Sequence, residues 1–187
     1  MGPMFHVERP RILCHTSASV VASINRLSPI LAIAVGVLHA GLSPILLVAG
    51  VTPNLALVAS VLVATSAGFA PAVTWAFIAG LTANLLSGEP LGSVPLSLLA
   101  AVALATAAAP LLERVPLLFP VIAAFVGSIV ADAIMLLSHQ LVRGGPWPGV
   151  PLRIVVTAAL LNAGLAALAL IPILVLRRRR AHTGLGP

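Results

Sequence analysis

The stretch LRIVVTAALLNAGLAALALIPILVLRRRR, residues 152–180, decides the fold. From Leu152 to Leu176 it is apolar apart from Arg153, Thr157 and Asn162, and it closes on four consecutive arginines, Arg177, Arg178, Arg179 and Arg180. A run of about 20 apolar residues is what a helix needs to cross a hydrocarbon core of about 30 Å. Basic residues massed at one end of such a run hold that end on the cytoplasmic side and meet lipid headgroups there. The segment therefore reads as a membrane-spanning helix with its C-terminal end in the cytoplasm.

The rest of the chain has the same character. Of its 187 residues 60% are hydrophobic and 7% charged, with a mean hydropathy of +1.16. A soluble domain carries roughly 25% charged residues to keep its surface wetted. With ten basic and four acidic residues, this chain cannot cover a water-facing surface. The net charge of +6 does not point to nucleic acid, because the arginines flank apolar stretches instead of forming a basic face. Cys14 is the only cysteine, which excludes an internal disulfide and a Cys-based metal site. The first 26 residues hold Glu8, Arg9, Arg11, His15 and Arg26 with no long apolar run, unlike a secretory signal.

Working back along the chain, six apolar segments follow one another. They run over about residues 28–50, 53–67, 70–86, 91–112, 115–142 and 152–176. Pro44 interrupts the first, Pro53 suits the start of the second, and Gly68 with Pro71 marks a tight turn between the second and third. The fifth is longer than a crossing requires, which predicts tilt. Residues 143–151 are rich in glycine and proline and form a loop, with Trp147 suited to an interfacial anchor. The expected fold is all-α, a polytopic transmembrane bundle of about six spans with both termini cytoplasmic. Residues 1–27 form an N-terminal tail, 28–176 the bundle, and 177–187 a basic C-terminal tail. In that topology Arg9, Arg11, Arg26, Arg114 and Arg177 to Arg180 lie inside, against Arg143 and Arg153 outside.

Polar side chains within such spans need a partner or carry a cost. Asp132 is the only carboxylate well inside a segment. Ionised there it costs about 2.5 to 3.5 kcal/mol, so it is protonated, paired or turned toward an aqueous pocket. A hydrogen bond between helices is the plainer reading, and a partner-binding or ion-coupling residue is the sharper one. Asn84, Asn162 and His39 read as links between helices, and Ser138, His139 and Gln140 as interfacial. One Asp with scattered histidines does not make a proton relay. Small residues recur every fourth position: Ala32, Gly36 and Ala40; Ala101, Ala105 and Ala109; Ala159, Ala163 and Ala167. Such ladders let helix backbones approach closely, and a ladder facing lipid would be a docking face. No nucleophile elbow, zinc-protease motif, phosphate loop or carboxylate pair is present, so no enzymatic activity, cofactor or metal is expected.

Two strings stand out. The first is Pro53-Asn54-Leu55. The second runs Gly80-Leu81-Thr82-Ala83-Asn84-Leu85-Leu86-Ser87-Gly88-Glu89-Pro90-Leu91-Gly92. Ser87 to Pro90 is by itself a sound helix stop, since glycine accepts the left-handed conformation and proline cannot continue a helix. Taken together, the strings resemble the MreD family of rod-shape-determining membrane proteins. That family shows Pro-Asp-Leu at the start of its second span and Leu-Asp-Leu-Leu-Ser-Gly-x-Pro-Leu-Gly at the end of its third. The resemblance covers about 40 residues, from Pro53 to Gly92, and extends to the rest by layout. Asn54 and Asn84 stand where the family has aspartate; asparagine keeps the shape and caps a helix as well, but cannot ionise.

The resemblance implies a non-catalytic component of the cell-elongation (Rod) complex in the bacterial inner membrane. It would bind an MreC-like bitopic protein and work beside RodA, a class B penicillin-binding protein and MreB. The competing reading is a substrate-binding subunit of an energy-coupling-factor vitamin transporter, which shares the length and span count. The absence of tyrosine, with two tryptophans and five phenylalanines, argues against a vitamin pocket.

Overall fold

A computed structural model describes residues 13–48, 50–111, 115, 118–144, 149 and 151–182, with side chains from 28 to 171. Six α-helices follow in order: α1 (Leu13–Leu42), α2 (Leu55–Ala67), α3 (Phe69–Ser87), α4 (Ser93–Ala108), α5 (Phe119–Arg143) and α6 (Leu152–His182). One 3-10 turn, Ala109–Leu111, extends α4. α1 starts inside the stretch expected to be a tail, so its backbone is helical from Leu13. It ends at Leu42, before Pro44, and the chain from there to α2 is irregular, with Val48 and Val51 bridged across Gly50. The expected loop anchor Trp147 and the topogenic Arg114 lie outside the described residues.

Small residues fill the inside and large apolar ones cover the outside. The buried positions are mostly alanine, among them Ala32, Ala56, Ala76, Ala79, Ala101, Ala124, Ala159 and Ala166. Exposed positions include Ile30, Leu31, Phe77, Leu85, Leu104, Leu160 and Leu168. In water this would be a large sticky surface. In a bilayer it is ordinary, because lipid tails are as apolar as leucine and association depends on close packing. Phe69–Ser87, Ser93–Leu111, Phe119–Arg143 and Leu152–Ile171 are long and apolar enough to cross a membrane. The chain is a helical membrane-protein bundle.

The two remaining apolar stretches, Ser28–Leu42 and Leu55–Ala67, are shorter. α2 measures about 20 Å at the helical rise per residue, less than a hydrocarbon core. Its position explains how it is tolerated. It packs against all five other helices and buries Ala56, Leu57, Val58, Ser60, Val61 and Ala64. Ser60 Oγ is satisfied within the helix by donating to the Ala56 carbonyl at 2.7 Å.

Glycines set the tightest crossings. A Cβ on Gly36 would lie 2.6 Å from the Ala79 carbonyl oxygen, so α1 sits directly on α3. One on Gly80 would lie 2.7 Å from Pro95 Cα, which brings α3 onto the start of α4. One on Gly127 would meet Ala101 Cβ at 3.2 Å, at the α4–α5 crossing. The ladders thus work inside the bundle: Ala32, Gly36, Ala101, Ala105, Ala159 and Ala163 are buried, Ala40 and Ala109 half-buried, and only Ala167 is exposed. None of the three provides a continuous outward docking face.

Candidate functional site

The polar residues that the sequence scatters through the spans meet at one end of the bundle. They wall a cleft of about 710 Å³ that includes His39, Ser43, Thr52, Asn54, Ser87, Glu89, Ser97, Asp132, His139 and Asn162. Its walls are the ends of α1 and α3, the starts of α2 and α4, the later half of α5 and the first half of α6. Odd-numbered helices run toward this end and even-numbered helices run away from it. The directions therefore alternate along the chain.

Asn54 is the N-cap of α2. Its side-chain oxygen accepts from Leu57 N–H at 2.9 Å, satisfying one of the orphan donors of the first turn. The backbone N–H of Asn54 in turn donates to Asn162 Oδ1 at 2.8 Å. Asn162, 1% exposed on α6, donates from Nδ2 to Ser128 Oγ on α5 at 2.8 Å. Three helices are joined through one buried amide. Pro53 is buried just before the cap and Leu55 is half-buried on α2.

Asn84 does a different job. From the last turn of α3 its Nδ2 donates to the carbonyls of Glu89 at 3.1 Å and Pro90 at 3.2 Å. Its Oδ1 accepts from Gly92 N–H at 2.6 Å. One side chain thereby holds the whole α3–α4 connection. Gly88 closes α3 with φ 68°, and Gly92 opens α4 with φ 87°. Both sit in the left-handed region that glycine enters freely. Ser93 adds a bond from Oγ to the Pro90 carbonyl at 2.7 Å. Leu85 and Leu91 point outward and are exposed, as is Ser87 at the rim.

The ionisable residues complete the cleft. His139 Nε2 lies 2.6 Å from Glu89 Oε2, close enough for an ion pair when the imidazole is protonated, though without the alignment of a hydrogen bond. Asp132 Oδ2 and His39 Nδ1 are buried with no hydrogen-bond partner among the described residues. The interhelical hydrogen bond expected of Asp132 is absent among the described residues, whereas the one expected of Asn162 is present, to Ser128. No group of three His, Cys, Asp or Glu side chains among the described residues is placed to hold a metal ion.

No family model, curated protein or solved structure matches the chain. Of the sequence candidates, Asn54, Ser87 and Asp132 line the cleft, Asn84 supports its edge, and Gly80 sets the α3–α4 crossing that forms one wall. Arg177 to Arg180 continue α6, and their side chains lie outside the described residues. Sequence reading missed the convergence of His39, Glu89, Asp132 and His139, which it treated as scattered. Part of the signal was available. Ser128, Asp132, Met135 and His139 follow helical spacing along one face of α5.

Proposed function

We propose that this protein is a non-catalytic membrane scaffold of the MreD type, acting in the bacterial inner membrane as part of the cell-elongation complex. The observation that carries the reading is that both resemblance strings are structural devices of one cleft end. Asn54 caps α2 from the first, and Asn84 pins the α3–α4 connection from the second. Strings whose asparagines cap and pin helix ends suit a scaffold. The proposal keeps six crossings, with α2 held inside the bundle and both termini cytoplasmic. The alternating helix directions and the arginine balance support it. The cleft then faces the outer side of the membrane.

The partner would be an MreC-like bitopic protein whose single transmembrane helix lies along the apolar outer surface, with RodA, a class B penicillin-binding protein and MreB assembled around it. Lipid tails occupy the remaining outer surface. The test is affinity purification of the tagged chain from its own cells in mild detergent, combined with depletion. A coiled-coil single-span protein should co-elute, and depleted rods should round up. Depleted cells that keep their shape, from complexes that lack such a protein, would remove the proposal.

The cleft itself favours a second reading, a substrate-binding subunit of an energy-coupling-factor transporter. Its volume is that of a small-molecule site, about 300 to 1,000 Å³. Among the described residues its walls hold no phenylalanine or tryptophan to stack on a vitamin ring. Co-elution of a pair of ATPases in the same purification would select it.

A further inference from the structure

The polar cleft has an apolar neighbour. A second chamber of about 610 Å³ opens between α5, α6 and the segment after α1, lined by side chains such as Leu47, Val51, Ile129, Leu136 and Val155. The chambers share Thr52, Asp132, Met135, His139 and Ala158, so Asp132 stands on the wall between them. Among the described residues the polar chamber is lined by two carboxylates, Glu89 and Asp132, and two histidines, His39 and His139, with no lysine or arginine. His139 faces Glu89, which leaves Asp132 as the carboxylate without a counter-charge. Asp132 Oδ2 is enclosed without a hydrogen-bond donor among the described residues. A buried carboxylate left without a partner is costly, and a ligand that brings a donor removes that cost.

We infer that the two chambers form one binding site for an amphiphile with a protonated amine at its head. The ammonium group rests against Asp132 in the cleft that Glu89 also lines, and the hydrocarbon body fills the apolar chamber. An ammonium supplies three donors and no acceptor, which matches walls rich in acceptors. A phosphate or carboxylate head would meet the unpaired Asp132 carboxylate, while the histidine nearest the other carboxylate, His139, already faces Glu89, so an anionic head is disfavoured. The inference goes beyond the scaffold reading and does not depend on it. It names the class of ligand that the cleft selects whichever protein the bundle binds.

The test uses the full chain in phosphatidylcholine nanodiscs with radiolabelled dodecylamine, counted against empty discs. Saturable binding above the empty-disc background is expected, with dodecanol and dodecyl phosphate competing poorly. Asp132→Asn should weaken binding on the order of tenfold, the loss of one charge-assisted hydrogen bond. Ala158→Leu, which fills the shared wall and leaves both carboxylates in place, should abolish the saturable component. Should Asp132→Asn fail to fold, Glu89→Gln and Ala158→Leu carry the test. Unchanged amine binding in folded Asp132→Asn, unchanged binding in both Glu89→Gln and Ala158→Leu, or dodecyl phosphate held as tightly as the amine, overturns the inference. Co-elution of a bitopic partner is measured without the amine, so failure here and failure of the scaffold reading are separate results.

Discussion

The middle of the bundle and its cleft end are held together by opposite means. In the middle, Gly36 and Gly127 bring helices into close contact, as Gly80 does nearer the cleft where α3 meets the start of α4, and the stabilisation at these crossings is dispersion between closely packed atoms. At the cleft end, Asn54, Asn84 and Asn162 tie together segments where helices stop and start. Away from it, hydroxyls mostly bond back into their own helix, as Ser66 does to Leu62 and Thr106 to Val102. The contrast follows from the solvent. Lipid gives no reward for burying leucine, so helices adhere by fit along their length. Helix ends leave backbone groups unpaired, and only directional bonds satisfy those.

If that division is right, the two regions respond differently to substitution. The largest effect is expected at Gly80. A side chain there meets Pro95 backbone atoms at 2.7 and 3.0 Å, and backbone at a helix start has little room to move. Gly80→Leu should cost about 3 kcal/mol or prevent assembly, because overpacking of a tight crossing is not relieved by rotamer change. Thermal melting in detergent, followed by size-exclusion profile, measures it. A melting temperature equal to wild type would show that the α3–α4 crossing is loose.

Next comes Asn84→Asp. The oxygen that accepts from Gly92 is retained, but the second oxygen would face the carbonyls of Glu89 and Pro90 in place of a donor. A loss of about 2 kcal/mol is expected from one side chain that no longer satisfies two buried acceptors. Proteolysis of the 88–92 turn in nanodiscs should rise with it. Asn162→Ala comes third, at about 1 kcal/mol, in keeping with measured interhelical hydrogen bonds in membranes. Equal melting of Asn162→Ala and wild type would mean that water replaces the amide there.

Much of the middle region was legible in the sequence and less of the cleft end. Apolar length and the arginine positions give the helical bundle, and the ends of α3, α5 and α6 fall near the glycine, proline and arginine punctuation. The small-residue ladders could be seen, but not which way they faced. Facing direction depends on the neighbour across the crossing, and Gly36 reads inward only once Ala79 and Thr82 are opposite it. At the cleft end, Asn84 was expected to link helices and instead holds its own following turn. Asn162 was expected to link helices and does. His39, Glu89 and His139 sit about 50 residues apart along the chain, roughly two segments, so no local spacing could announce that they meet. Aqueous periodicity rules give no help, because in lipid the large apolar residues lie outside and no polar stripe marks the surface.

The smallest expected effect is at Asn54, and it bears most directly on the resemblance. Both asparagines stand where the MreD pattern carries aspartate, yet their surroundings differ. Asn54 uses its side chain only as an acceptor from Leu57 N–H among the bonds described, and a carboxylate accepts that bond equally well. A negative charge at the first turn of α2 also meets the positive end of the helix dipole, a gain of about 0.3 to 1 kcal/mol. Glu89 and Asp132 line the same cleft, and their repulsion offsets part of that gain. Asn54→Asp should therefore shift stability by less than about 0.5 kcal/mol, whereas Asn54→Ala should cost about 1 kcal/mol through loss of the cap. Melting curves of the two variants separate a cap from a charge. If Asn54→Asp destabilises as much as Asn54→Ala, the position is governed by the cleft's carboxylates, and the family's aspartate would need a proton or a cation that this chain does not require.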